Sequence, residues 1–223
     1  MARPPTDRPG GGRWVPDGTP GIDALARAAH RCRGCELWHD TTQVVFSSGP
    51  ADAALALVGE QPGDQEDREG EPFVGPAGRV LDDALEAAGL DAGAVYLTNA
   101  VKHFRYVELP ERGRRRLHKT PGVAHVRACL PWLEAELAVV RPRVAVALGA
   151  TAARALLGRP ARIGELRGRV LDAPEDGSSG GAAVVVTTHP SALLRLRDRS
   201  GWDDAFGSLV VDLTTAARAA HVA

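Results

Sequence analysis

Four polar clusters in this sequence carry groups that bind and move protons: Gly59-Glu60-Gln61-Pro62-Gly63, Thr98-Asn99 with Lys102-His103, Gly149-Ala150-Thr151, and His189-Pro190-Ser191. Each follows a short apolar run of the kind that forms a buried strand: Ala54 to Val58, Val95 to Leu97, Val144 to Leu148 and Ala183 to Val186. In an open α/β sheet the ligand crevice lies outside the carboxyl ends of the parallel strands, so clusters far apart in sequence converge in space. The pattern predicts a site-bearing domain with the character of an enzyme.

Two further groups of residues invite chemistry. Cys32-Arg33-Gly34-Cys35 is a CxxC pair ahead of the first strand, and Cys129 lies in the helix after the second; His103 is the best candidate for a fourth ligand. Three thiolates and an imidazole suit a structural zinc, although zinc modules are usually compact, whereas iron–sulfur clusters tolerate long spacings. On these residues alone a chance CxxC and a buried apolar Cys129 stand level with a metal site. Three cysteines cannot close a disulfide framework. The other group is a basic run, Glu111-Arg112-Gly113-Arg114-Arg115-Arg116-Leu117-His118-Lys119, inside a stretch from His103 to Thr120 that lacks apolar periodicity. A loop of that length in a compact domain is usually functional or disordered.

The elements that must position these groups follow from spacing. Gly78 to Ala88 puts Val80, Leu81, Ala84, Leu85 and Ala88 on one helical face and stops at Gly89; Pro121 to Val140, Ala150 to Leu157 and Trp202 to Ala219 also have helical spacing. Alternation of strand and helix predicts a parallel sheet, four strands in its core, with helices on both faces. A single domain over 21–223 is expected, after a Pro-, Gly- and Arg-rich tail, residues 1–20, expected to be disordered. The Ser- and Gly-rich segment Asp172 to Gly181 reads as a solvated loop, and Asp64 to Glu71 as an exposed one. With 27 basic and 28 acidic residues and a net charge of −1, no global positive field recruits nucleic acid, so any polyanion must be gripped locally. No apolar stretch approaches the roughly 20 residues of a membrane span, and no hydrophobic leader is visible, which predicts a cytoplasmic protein without an evident obligate protein partner.

The motifs Gly59-Glu60-Gln61-Pro62-Gly63-Asp64, Pro72-Phe73-Val74-Gly75-Pro76-Ala77-Gly78-Arg79, Thr98-Asn99 and His189-Pro190-Ser191, in this order, resemble the uracil-DNA glycosylase superfamily. The iron–sulfur family-4 enzymes are the nearest large group. Within it the chain more closely resembles the UdgX branch, which carries Gln at the place of Gln61 and histidine at that of His103. The branch signature Lys-Arg-Arg-Ile-His stands here as Arg114-Arg115-Arg116-Leu117-His118, with two conservative departures. The resemblance runs from about Cys32 to Phe206. It implies a three-layer α/β/α fold around a four-stranded parallel sheet, a [4Fe-4S] cluster on Cys32, Cys35, His103 and Cys129, and uracil-containing DNA as the partner.

Base excision breaks the bond between sugar C1′ and uracil N1, so a protein helps by stabilising the departing anion with preorganised donors after the base has left the stack. On that basis Phe73 is expected to stack on the flipped base, and the Asn99 amide to match its N3–H and O4 edge. His189 would donate to O2, and Ser191 would contact a phosphate or cap a helix. Gly59, Gly63 and Asp64 complete the expected substrate-binding set, and Gln61 joins the catalytic one. Arg114, Arg115, Arg116, Lys119, Arg195 and Arg197 are the expected DNA contacts, with Leu194 and Leu196 as apolar wedges. A run of arginines disfavours protonation of His118, and a neutral imidazole is a nucleophile; with Glu60 orienting the ring, attack on the sugar would leave the protein joined to its DNA. The competing expectations are a family-4 glycosylase that turns over, with His118 binding phosphate, and a non-catalytic iron–sulfur protein that binds DNA.

Overall fold

The computed structural model describes residues 10–109, 115–175, 177–196 and 199–222. In chain order these form a 3-10 turn at Gly10–Arg13, α1 (Ile22–Ala29), a second 3-10 turn at Glu36–His39, β1 (Ser47–Ser48), β2 (Leu55–Gly59), α2 (Asp64–Glu69), α3 (Pro76–Ala87), β3 (Tyr96–Asn99), β4 (Tyr106–Leu109), β5 (Arg115–His118), α4 (Val123–Val140), β6 (Val144–Leu148), α5 (Ala150–Leu157), α6 (Ile163–Leu166), β7 (Val170–Leu171), β8 (Ala183–Thr187), α7 (Pro190–Leu193) and α8 (Arg199–Ala220). Six strands make one sheet in the order β1-β3-β2-β6-β8-β7. The inner four are parallel, in the registers Leu57↔Leu97, Ala56↔Ala145 and Val146↔Val185. The two-residue edges β1 and β7 pair antiparallel. The four-stranded parallel core is the expected one, and the short edges are additions.

Continuous apolar runs form these strands because both faces are covered. Ala56, Val58, Ala145, Ala147, Val184 and Val186 face α4 and α5 through Trp132, Leu133, Leu137 and Leu156. The alternate residues Leu55, Leu57, Val144, Val146, Leu148 and Val185 face α3 and α8 through Leu81, Leu85, Leu209 and Leu213. Truncating one of these buried leucines to alanine costs about 2–5 kcal/mol.

Three expectations are corrected. The stretch from His103 to Thr120 contains a hairpin, β4 against β5, with Tyr106 opposite His118. Asp64 to Glu71 is largely α2, whose Glu66 and Asp67 are buried, because each carboxylate serves as an internal acceptor. The expected tail also contains structure from Gly10 onward: the turn Gly10–Arg13 packs on α4. The Asp172 to Gly181 segment is irregular as expected, yet Ser178 and Ser179 are buried and Ser178 Oγ bonds Glu134 at 2.8 Å.

Candidate active site and cysteine cluster

The carboxyl ends of β2, β3, β6 and β8 open into a cleft of about 560 Å³. Glu60, Phe73, Asn99, His118, Gly149, His189, Ser191 and Arg195 all line it, as do Gln61, Gly63 and Asp64. The floor is tight. A Cβ on Gly59 would stand 2.3 Å from Asn99 Oδ1 and 2.7 Å from Phe73 Cζ, so only glycine lets both side chains lie there. Phe73 sits at φ 62°, a left-handed conformation that a bulky residue adopts only under constraint, and its ring lies 6.4 Å from that of His189 at 26°. Asn99 is buried.

His189 caps α7. Its Nδ1 accepts from the Ser191 amide at 3.1 Å and lies 2.9 Å from Ser191 Oγ. An amide can only donate, so Nδ1 is the acceptor and Nε2 carries the ring proton. Burial, then the neighbouring His118 and Arg195, push the His189 pKa down to about 4, leaving a neutral donor. Ser191 therefore holds the ring, whereas phosphate contact was one of its expected roles.

His118 Nε2 lies 3.4 Å from Glu60 Oε1. Burial lowers its pKa below the usual histidine value, Glu60 acts the other way, and Arg195 lowers it further. The arginine that counts is thus Arg195 from the loop after α7. The expected contributor Arg116 has its charge spent internally: Nε on Asp64 at 2.5 Å, a terminal nitrogen on Asp67 at 2.6 Å, and the guanidinium over Tyr106 and Phe104 at 5.0 and 5.5 Å. Only 11% of that side chain is exposed, so Arg116 pins the hairpin to α2 and is not free for DNA; its partner Asp64 still lines the cleft. Gln61 likewise is committed: Nε2 donates to the carbonyls of Arg105 at 3.0 Å and Lys119 at 3.3 Å, while Oε1 accepts from the Arg105 amide at 3.1 Å. It clamps both strands of the hairpin base, a positioning role where a catalytic one was expected. Lys119 and Arg195 are exposed, as are Leu194 and Leu196. Arg114 and Arg197 lie outside the described residues.

Two residues had no role assigned from the sequence. Thr151, in the first turn of α5, donates through Oγ1 to Glu60 Oε2 and so holds the carboxylate that faces His118. Glu66 accepts from the amides of Gly63 at 3.0 Å and Gly75 at 2.8 Å, joining the two loops that flank the cleft. The three-residue spacing to Gly63 is that of a helix cap, but nothing in the sequence signals the bond to Gly75 in the other loop.

Cys32, Cys35, His103 and Cys129 line one small apolar cavity with Val44 and Trp132. The cysteines are free of disulfides. The Lys102 amide donates to Cys129 Sγ and Trp132 Nε1 to Cys32 Sγ, each at 3.3 Å. Burial pushes the Cys129 thiol up to about 12, raises that of Cys35, and brings His103 down to about 4. Among the described residues no three such side chains close on a single-ion position. Three thiols and an imidazole round one small cavity, with two N–H groups aimed at sulfur, are the soft donor set of a thiolate-held metal group.

Comparison with known proteins agrees with this geometry. A model of the uracil DNA glycosylase superfamily matches residues 46–209. The chain is 35% identical over 177 residues to a type-4 uracil-DNA glycosylase of Thermotoga maritima, covering 79% of this chain and 84% of that protein. A type-4 enzyme of Pyrobaculum aerophilum is 36% identical over 176 residues (78% and 85%), and one of Archaeoglobus fulgidus 32% over 177 (78% and 83%). The protein is a member of the uracil-DNA glycosylase superfamily, its relatives including type-4 enzymes.

Proposed function

We propose that this protein excises uracil from DNA and becomes covalently joined to the resulting sugar through His118. What supports the first half is the family, the cleft at the strand ends and the pair of preorganised donors within it. The Asn99 amide makes no hydrogen bond with another described residue and offers both a donor and an acceptor to a base edge. The neutral His189 offers an Nε2 proton where negative charge develops on the leaving base. Phe73 bounds the pocket and favours a planar occupant.

The observation that carries the second half is the His118–Glu60 pair at 3.4 Å on the rim of the same cleft. As the C1′–N1 bond breaks, its electron pair leaves with uracil, whose anion Asn99 and His189 stabilise. The lone pair of the neutral imidazole then forms the new bond to C1′. The ring proton passes to the Glu60 carboxylate, which Thr151 keeps oriented. Lys119, Arg195 and the exposed Leu194 and Leu196 suit contact with phosphates and an opened base stack.

Cys32, Cys35, His103 and Cys129 would hold a [4Fe-4S] cluster, which would tie together the CxxC loop, the segment after β3 and α4. The corresponding expectation is brown protein with iron and sulfide near four per chain, and stoichiometric zinc without sulfide contradicts it.

The deciding experiment incubates purified protein with uracil-containing single-stranded DNA and resolves it on a denaturing gel. Wild type gives a uracil-dependent adduct stable to heat and detergent, and His118→Ser gives uracil release without adduct, because bond breaking rests on Asn99 and His189. If wild type turns over many uracils with no adduct, His118 is a phosphate contact and the turning-over type-4 reading takes its place. Absence of any uracil release would leave only DNA binding.

A further inference from the structure

Lys102 is one of only two lysines, and it is 1% exposed. Its ammonium has three protons and three acceptors: Thr98 Oγ1 at 2.6 Å, the Asn99 carbonyl at 2.9 Å, and the carboxylate of Glu136. Glu136, fully buried on α4, also accepts from Tyr96 Oη at 3.0 Å and Thr98 Oγ1 at 2.9 Å. The Phe46 ring lies 5.1 Å below the ammonium. Every donor and acceptor in this group is satisfied, and neither charge lines the cleft.

Stability does not account for such a pair, since well-packed apolar residues in place of buried partners are often neutral or stabilising. What sets it apart is what it holds. The ammonium grips the carbonyl of Asn99, while the amide of the same Lys102 points at Cys129 Sγ. Between them, Ala100 and Val101 donate to the carbonyls of Gly59 and Glu60 at 2.9 and 3.0 Å, so these few residues fasten the end of β3 to the end of β2.

We infer that Lys102 is a positioning residue for base recognition: locked by Glu136, it fixes the Asn99 peptide so that the Asn99 amide keeps one orientation in the cleft, and it joins that strand end to the cysteine site. This rests on Asn99 being the reader of the uracil edge. A side chain held through its own peptide meets the base without first losing rotational freedom, and so binds it more tightly.

The test is a mutant cycle on the full-length, cluster-loaded protein. Lys102→Met with Glu136→Leu removes both charges together; Asn99→Ala is made alone and combined with that pair. Affinity for free uracil is read by equilibrium titration, with iron and sulfide content and Tm measured on every variant. The charge-pair variant should keep its iron, sulfide and Tm and bind uracil ~10-fold more weakly, the worth of about one charge-assisted hydrogen bond. In the Asn99→Ala background the same pair should cost nothing more, because its effect passes through Asn99. Wild-type affinity in the charge-pair variant, or the same loss in both backgrounds, overturns the inference while leaving Asn99 in place. Unchanged affinity in Asn99→Ala alone overturns the Asn99 reading and the inference with it. Should the charge-pair variant fail to fold, Glu136→Gln decides: it keeps the shape, loosens the grip on the ammonium, and should shift affinity in the same direction by a smaller factor, an unchanged affinity counting against the inference.

Discussion

Replacing Arg116 by methionine keeps the apolar stem and removes the guanidinium from its two carboxylates. The two losses are unequal. Asp64 is 40% exposed and keeps Arg68 Nε at 3.1 Å, so its pair with Arg116 is worth about 0–1 kcal/mol. Asp67 is 0% exposed and keeps only the Thr42 amide at 3.1 Å, so leaving it unpaired costs about 3–5 kcal/mol. Global unfolding of a domain this size would register such a loss as about 6–20 °C in Tm. The hairpin, however, is a separate two-stranded sheet. Arg116, the Gln61 clamp and a bond from Tyr106 Oη to the Asp40 carbonyl at 2.6 Å hold it down. Undocking the hairpin therefore relieves the cost locally, and Tm should fall by less than that range while β4–β5 becomes sensitive to limited proteolysis. With His118 carried away from the cleft, single-turnover adduct formation should slow by at least ~10-fold, equivalent to about 1.4 kcal/mol of misplacement, and uracil should be released to water instead. Arg116→Lys should not rescue, since a point charge cannot bridge both carboxylates and lie over two rings. Adduct formation at the wild-type rate, with the hairpin as protease-resistant as before, would refute the assignment of Arg116 as the pin.

Three further outcomes are expected. Because burial and Arg195 hold the His118 pKa below its ordinary 6.5, adduct formation at saturating DNA should be flat through neutral pH and fall only in acid; Arg195→Gln should move that fall to higher pH, and a shift to lower pH counts against the stated cause. Gly59→Ala should leave iron content near wild type, lower Tm by about 2–12 °C through about 1–3 kcal/mol of overpacking, and slow uracil excision by ~10- to 100-fold as Asn99 and Phe73 are displaced. Thr151→Val should lower the rate of adduct formation by roughly tenfold through loss of one hydrogen bond to Glu60, with uracil release less affected; equal loss in both assays would place Thr151 in the fold and not in the His118 step.

The core strands were legible because burial on both faces demands unbroken apolar runs, and the strand-end clusters followed from that. The hairpin was not. Arg115-Arg116-Leu117-His118 shows no alternation of apolar and polar residues, because what fastens this strand is side chains reaching it from α2 and from Gln61. The same cause misled the reading of Asp64 to Glu71, where a carboxylate such as Asp67 is buried only because Arg116 arrives from dozens of residues later. The edge strands Ser47–Ser48 and Val170–Leu171 are too short to carry a periodicity. At the site, residue types together with the family resemblance indicated Glu60, Asn99, His118 and His189, which the fold brings into one cleft. They could not indicate which polar groups are already spent. Gln61 and Arg116 look as free in sequence as Arg195, and only partners distinguish them.

The turn at Gly10–Arg13 bears on how the molecule can be cut. A Cβ on Gly11 would fall 2.8 Å from the Ala128 carbonyl and from Trp132 Nε1, and one on Gly34 would fall 2.4 Å from the Gly11 amide. Backbone meets backbone there, so residues that read as a disordered tail pack against Gly34, Ala128 and Trp132, which line the chamber of Cys32 and Cys35. At the other end, α8 continues its burial through Leu213, Ala216 and Ala217. The span matched by the superfamily model, 46–209, leaves out two of the four candidate ligands, the turn packed beside them and the last turns of a core helix. A fragment trimmed to those bounds would lack parts of the structure that cooperative folding requires.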